Sequence, residues 1–254
     1  MAVRHRSDIT ARVAVLQRGW ARPGTIFTQG LTYAHGSLWE SVGLYGASGL
    51  RQIGLPDLRQ RWSAPLPGRL FGEGLCPSVA GLWQLTWREG VAVCWDPMRR
   101  CVREEISYDR EGWGACTTPL GVLTSDGTDE LVVRDPDTLR PSRTLRVRAA
   151  RRPVFGLNDL EWAHGRIWAN VHGRDCIVGI EPDTGAVTDL VDARGLRRHA
   201  EGALDVFTGL AHDPRSGLFY VTGRCWPRMF AVRFAVLDHH PVDLDLPAAP
   251  VGVS

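Results

Sequence analysis

The sequence predicts an all-β chain folded as a five-bladed β-propeller. Three observations carry that prediction: a five-fold internal repeat, turn signals inside every repeat, and no sustained 3.6-residue apolar periodicity. The repeats are TQGLTYAHGSLWESVG (28–43), GEGLCPSVAGLWQLTW (72–87), GWGACTTPLGVLTSDG (112–127), LNDLEWAHGRIWANVH (157–172) and FTGLAHDPRSGLFYVTG (207–223). Equivalent positions 29, 73, 113, 158 and 208 are 44, 40, 45 and 50 residues apart. Four short antiparallel strands in about 40–50 residues is the spacing of a propeller blade. A helical solenoid needs apolar faces of about ten residues or more, and Pro and Gly interrupt this chain too often.

Each repeat opens on a short strand, crosses a polar or Gly/Pro turn, and enters an apolar strand containing LW, VL, IW or LF. A second turn signal follows: Leu55-Pro56-Asp57, Asp96-Pro97, Asp135-Pro136-Asp137 or Glu181-Pro182-Asp183-Thr184-Gly185. Another strand comes next, such as DELVVRD or DCIVGIE. The expected blades are 20–65, 66–107, 108–150, 151–200 and 201–237, within one domain spanning 1–254. The strand-like RVAVLQR (12–18) is expected to complete the last blade beside MFAVRFAVL (229–237), so that the ring closes and protects its edges. The tail 238–254 reads as an irregular cap or disordered end.

With 254 residues and 44% hydrophobic content the chain has material for a real core. It contains no lysine, so all 30 basic residues are arginine, as GC-rich codon usage would produce. The 28 acids nearly balance them, net charge is +2, and like charges never run far. That argues against a nucleic-acid footprint or a polybasic membrane patch. No stretch approaches the ~20 apolar residues of a membrane helix. The opening residues lack an apolar signal region, so a cytoplasmic location is expected, with export as the alternative; a monomer is expected separately. Six cysteines stand without a CxxC pair or Cys/His cluster, which speaks against structural zinc. Cys94 and Cys101 flank the Asp96-Pro97 turn within reach of each other across a hairpin. Free thiols are the expectation there, a disulfide the alternative.

The innermost strand of every propeller blade lines the central channel. Gln29, Glu73, Trp113, Asn158 and Thr208 begin that strand, and all five can hydrogen-bond. A repeat that only needed a core would place Val or Ile at some of them. A polar ring with one carboxylate and one tryptophan reads as a small-molecule pocket, with buried channel water as the bland alternative. Glu40, Trp87, Ser125, Asp126, Asn170 and Arg224 lie near the end of the second strand, within reach of the same mouth. Trp39, Trp83, Trp168 and Phe219 align with one another and are expected to pack between sheets, Trp168 keeping a second candidacy as a pocket residue. Trp87, Trp113 and Trp226 break the repeat and are candidate ligand contacts. Glu73, in Phe71-Gly72-Glu73-Gly74, is expected to lose hydration and gain a raised pKa, or to pair with an arginine such as Arg224, or both.

These residues carry a resemblance. FTQGL (27–31), LWESVGLYGASGLRQ (38–52), FGEGL (71–75), QLTW (84–87), GWG (112–114), SDGTDEL (125–131), LNDLEW (157–162), IWANV (167–171) and TGRCWP (222–227) run in order through the chain, which resembles the glutaminyl-peptide cyclotransferases of the plant and bacterial type. The resemblance implies a five-bladed propeller without catalytic zinc or other cofactor. It implies conversion of an N-terminal glutaminyl residue, in a peptide or small molecule, to pyroglutamyl with release of ammonia. It assigns Glu73 as proton shuttle, Asn158 as substrate hydrogen-bonder, and Gln29, Trp87, Trp113, Trp168 and Trp226 as pocket residues. Arg224 and Asn158 are candidate oxyanion donors; Phe27, Glu40, Phe71, Asp126, Asn170 and Thr208 complete the candidate substrate contacts. Two departures stand out: Thr208-Gly209-Leu210-Ala211 where the family usually reads NGIA, and Arg224 where it usually carries lysine. Arginine is a planar fork and lysine a point charge, so that exchange is not neutral at a tight site. Three rival readings stay open: a diverged relative acting on another small amine or amide, a non-catalytic interaction propeller, and a calcium-dependent lactonase-like propeller using Glu73, Asn158 and Asp126 as ligands.

Overall fold

The computed structural model describes residues 9–201, 204–237, 246–247 and 249. Each repeat folds into four strands. Blade 1 is Thr28–Ala34, Ser37–Val42, Gly49–Gly54 and Gln60–Pro65; blade 2 is Gly72–Pro77, Leu82–Thr86, Val91–Asp96 and Cys101–Ser107. Blade 3 is Ala115–Thr118, Gly121–Thr124, Glu130–Arg134 and Pro141–Arg146; blade 4 is Leu157–Ala163, Arg166–Val171, Cys176–Ile180 and Val187–Asp192. Blade 5 takes three strands from the C-terminal repeat, Phe207–Asp213, Leu218–Gly223 and Arg228–Val236, and its fourth, Thr10–Ala21, from the N-terminus. The innermost strands touch in sequence from blade 1 to blade 5 and from blade 5 back to blade 1, which closes a five-bladed propeller.

The N-terminal strand does more than the sequence indicated. Besides its antiparallel pairing with Arg228–Val236, its first residues, Thr10–Val13, pair in parallel with Asp189–Asp192 of blade 4. Arg12 donates to Asp189 at 2.6 Å across that seam. Of the tail 238–254, only 246–247 and 249 fall within the described residues, and Leu246 packs against the core between blades 3 and 4; the rest of that reading lies outside them.

The core lies between blades. Each of five apolar clusters joins two neighbours, as Trp39 and Leu50 of blade 1 join Leu75, Leu82 and Val93 of blade 2, and Leu31, Leu38 and Ile53 of blade 1 join Ala211, Tyr220 and Met229 of blade 5. Period-2 alternation supplies this: both faces of each sheet meet a neighbour, so strands two and three read as apolar runs. The turns repeat as closely as the strands. The N–H groups of Leu58, Arg100, Leu139 and Gly185 each return to the carbonyl four residues back, and all four residues have positive φ. The Asp96 and Asp135 side chains each accept two backbone N–H bonds inside their turn.

Two expectations are corrected by register. Tyr220, not Phe219, occupies the position of Trp39, Trp83 and Trp168, because the blade 5 hairpin turns through four residues (214–217) where those of blades 1 and 4 turn through two. Phe219 faces blade 4 and packs on Trp168 with ring centroids 5.8 Å apart. Cys94 lies opposite Glu104 and Cys101 opposite Asp96, so they do not face each other, and both are free thiols.

Candidate active site

Three positions of the repeat build the pocket. The first is the channel ring, Gln29, Glu73, Trp113 and Asn158, one per blade. The second is the residue ending the second strand, defined by one backbone bond in four blades: Gly43 N–H to Phe27, Trp87 to Phe71, His172 to Gly156, and Arg224 to Val206. The third is the acceptor side of those bonds, which contributes Phe27 and Phe71. Together they enclose a cavity of about 160 Å³ lined by Phe27, Gln29, Phe71, Glu73, Trp87, Trp113, Asn158, His172 and Arg224.

The residue after each channel position explains how the ring can be so tight. In blades 1, 2, 3 and 5 it is glycine. A Cβ on Gly74 would stand 2.6 Å from Gly114, and one on Gly114 would overlap the Asn158 carbonyl. Inner strands therefore approach backbone to backbone at the axis. Blade 4 instead carries Asp159, fully buried. Its Oδ2 accepts the N–H groups of Leu31 at 3.0 Å and Leu210 at 2.8 Å, and its Oδ1 accepts that of Leu160 at 3.1 Å. One carboxylate thus answers the otherwise unpaired inner edges of blades 1 and 5. Glu161, also on the blade 4 inner strand, does the same for His212 N–H at 3.0 Å; burial pushes its carboxyl up to about 8.

Glu73 sits differently. It is 5% exposed and lines the open pocket. Gln29 Nε2 donates a short hydrogen bond to its Oε1, and Arg224 Nε donates to Gln29 Oε1 at 2.6 Å. Arginine offers only donors, so the Gln29 amide oxygen must face Arg224 and its NH₂ must face the carboxylate. Gln29 therefore stands between the two charges that the sequence reading considered as a direct pair. Burial pushes Glu73 well above the usual carboxylate range; the nearby Arg224 charge and the Gln29 hydrogen bond oppose this without cancelling it. Burial, and then the Arg224 charge, push His172 below its ordinary value.

Aromatic rings form the walls. Phe71 meets Phe27, Tyr45 and Trp87 at centroid distances of 6.1, 5.3 and 5.5 Å. The Arg224 guanidinium lies 5.1 Å from the Phe27 ring. Trp87 and Trp113 both donate their ring N–H to Glu111 Oε2, at 3.2 and 3.3 Å, so one carboxylate fixes two walls. Asn158 is held from behind: its Nδ2 reaches Thr208 Oγ1 at 3.4 Å, and its carbonyl accepts Ser125 Oγ at 2.7 Å. Thr208 in turn donates to the Gln29 carbonyl at 3.3 Å.

Eight of the residues singled out from sequence meet here: Phe27, Gln29, Phe71, Glu73, Trp87, Trp113, Asn158 and Arg224. Thr208 is buried behind Asn158 and is not in the lining. The other five candidates lie elsewhere. Glu40 is buried between Arg22 at 2.5 Å and Arg51 at 2.7 Å, which hold its carboxyl below the usual range despite burial. Asp126 pairs with Arg110 at 2.8 Å and accepts Thr128, so it does not join Glu73 and Asn158. Trp168 donates to the Ala163 carbonyl and packs on Phe234 at 5.1 Å. Trp226 donates to the Asp205 carbonyl and lies against Phe207 at 5.5 Å. Asn170 is fully buried, with neither amide atom partnered among the described residues, and nothing in the structure explains it. Sequence reasoning missed His172, Glu111 and Asp159. The signal for His172 was present, because it ends its repeat where Trp87 ends the second. Among the described residues no group of three or more His, Cys, Asp or Glu side chains is placed to hold a metal ion.

The comparisons agree with this fold. A glutaminyl-peptide cyclotransferase of Arabidopsis thaliana is 33% identical over 213 residues, 82% of this chain and 67% of that protein. The crystal structure of the Myxococcus xanthus glutaminyl cyclase aligns with a TM-score of 0.84 at 35% identity, covering 91% of this chain and all of that one. The glutamine cyclotransferase family profile matches residues 6–234. With that profile spanning most of its length, the chain belongs to the glutamine cyclotransferase family.

Proposed function

We propose that this chain is an enzyme converting N-terminal glutaminyl residues to pyroglutamyl with release of ammonia. The observation that carries the reading is one buried carboxylate, Glu73, open to an aromatic pocket and pushed well above the usual carboxylate range by burial, the direction that favours a group which both accepts and returns a proton. Phe27, Phe71, Trp87 and Trp113 hold the aliphatic stem of the substrate, with the peptide beyond its first residue outside the cavity. The neutral α-amine attacks its own side-chain carboxamide carbon, forming the lactam C–N bond and a tetrahedral oxyanion. Asn158 and Arg224 donate to that oxyanion, a contribution of about 10²–10³-fold for a well-placed donor. Glu73 takes a proton from the attacking nitrogen and passes it to the departing amide nitrogen. The second C–N bond then breaks and ammonia leaves. Both reacting groups belong to one molecule, so the site supplies a near-attack geometry and a proton path.

Catalysis without a metal, by a monomer, in a bacterial cytoplasm, belongs to the same proposal. A relative acting on a different small amine is the second reading, favoured by Arg224, which places a planar fork in the pocket where a point charge is usual. Thr208 acts less directly, through Asn158. The test is ammonia release and the matching mass loss from Gln-Gln and a longer Gln-peptide, for wild type and Glu73→Gln, with and without EDTA. Turnover that survives EDTA and collapses in the variant is expected. A folded wild type inert on both peptides defeats the proposal and turns attention to other amines.

A further inference from the structure

A second cavity, of about 280 Å³, opens between blades 5 and 1. Its apolar walls include Trp20, Ile53 and Met229, and its charged lining is Arg22, Arg51 and Arg59. Among the described residues no carboxylate lines it. Glu40, behind the lining, is fully used: Oε1 accepts Arg22 and Thr28, and Oε2 accepts Arg51 at 2.7 Å. One buried negative charge thus serves two guanidiniums. The third, Arg59, is 81% exposed and 4.0 Å from Asp57, whose oxygens Arg61 already holds at 2.7 and 2.8 Å. The cavity is left with a positive excess.

Two donors also lack an answer. Arg22 Nε, on a side chain 9% exposed, and the indole Nε1 of Trp20 are buried without an acceptor among the described residues. Buried N–H groups are rarely left unpaired, because desolvation removes their water bonds without replacement. Both belong to residues that line the cavity.

We propose that this cavity binds a small organic anion: a carboxylate with a short apolar body. A carboxylate supplies only acceptors, matching a lining whose spare groups are donors. Its two oxygens reach Arg22 Nε and Trp20 Nε1 by a small shift of the side chains that now bury both atoms, the exposed Arg59 guanidinium closes over the charge, and the apolar body rests on Ile53 and Met229. This site is separate from the catalytic pocket and does not depend on the reaction assigned there.

The test is isothermal titration with sodium isovalerate, sodium acetate and inorganic phosphate, in a buffer free of other carboxylates. Wild type is compared with Ala21→Trp, Arg59→Ser and Arg224→Gln. Ala21 is an exposed residue of the lining, so tryptophan there blocks the cavity without touching a buried charge. The expected result is single-site isovalerate binding, weakened at least tenfold by Ala21→Trp and by Arg59→Ser, kept in Arg224→Gln, and tighter than acetate or phosphate. Absence of saturable binding means the orphan donors hold water only and overturns the proposal. Binding that survives Ala21→Trp but fails in Arg224→Gln places the anion in the catalytic pocket and also overturns it. Phosphate binding tighter than isovalerate overturns the carboxylate class.

Discussion

Glu73 and Asp159 stand on inner strands of the same ring, both buried and both pushed above the usual carboxylate range by desolvation. Their surroundings separate them. Asp159 accepts three backbone N–H groups from blades 1, 4 and 5. Glu73 accepts one side-chain donor, Gln29, and otherwise faces the cavity. A carboxylate whose lone pairs are taken by rigid backbone cannot move a proton without breaking the fold. One with an oxygen free toward an open pocket can. A raised pKa alone therefore does not mark a catalytic acid or base; unused hydrogen-bonding capacity beside a cavity does.

The largest expected effect tests that contrast at Glu73. Glu73→Gln keeps the shape and removes the proton path, so kcat on a Gln-peptide falls about 10²–10⁴-fold while the circular dichroism spectrum stays unchanged. A loss under tenfold breaks the contrast.

Asp159→Ala should do the reverse. It leaves the Leu31 and Leu210 N–H groups unanswered at the axis, costing about 2–4 kcal/mol in urea unfolding. The activity of the molecules that remain folded should fall far less than in Glu73→Gln. An Asp159→Ala protein of wild-type stability removes the structural half of the comparison.

A smaller effect separates the two states of Glu73. Its folded pKa is raised, so the folded state holds the proton more tightly than the unfolded state. The stability linked to that proton is fully present below the ordinary carboxylate pKa and is lost as pH rises toward the folded value. Glu73→Gln should therefore raise stability at pH 8, with the gain shrinking as the pH falls toward 4, as thermal melts across that range will read. A gain that grows at low pH contradicts the sign.

The smallest effect concerns Arg224, whose charge opposes the upward shift of Glu73. In Arg224→Gln the carboxyl should rise further, and the acidic limb of kcat/KM should move to higher pH, in addition to any loss of rate. An unmoved limb would mean Gln29 insulates the two charges.

Much of this molecule was legible in its sequence. The five repeats, the turn residues and the channel positions are periodic, and periodicity survives without coordinates. The eight pocket residues identified from sequence sit at repeat positions or in motifs next to them. Five other candidates stand outside the pocket lining. Glu40, Trp168, Trp226, Asp126 and Asn170 lie close to pocket residues along the chain, but that closeness does not decide which partners a side chain meets: Glu40 goes to Arg22 and Arg51, Asp126 to Arg110, and Trp168 and Trp226 to aromatic packing on Phe234 and Phe207. A longer turn moves the register as well, which is how Phe219 and Tyr220 exchange places in blade 5.

What the sequence by itself determined is the local order: strand, turn, strand, with a polar residue at the start of each inner strand and a glycine after it in four of the five. Tertiary structure decided which of those groups are spent and which are free. Ring closure brought Asp159 to the unpaired edges of blades 1 and 5, some 128 and 51 residues distant in the chain, and used up its oxygens. The same closure set Gln29 between Glu73 and Arg224, 44 and 195 residues away, and left one carboxylate oxygen facing the pocket. Those partners meet only because five sheets share an axis, and no local propensity encodes a distance measured across it.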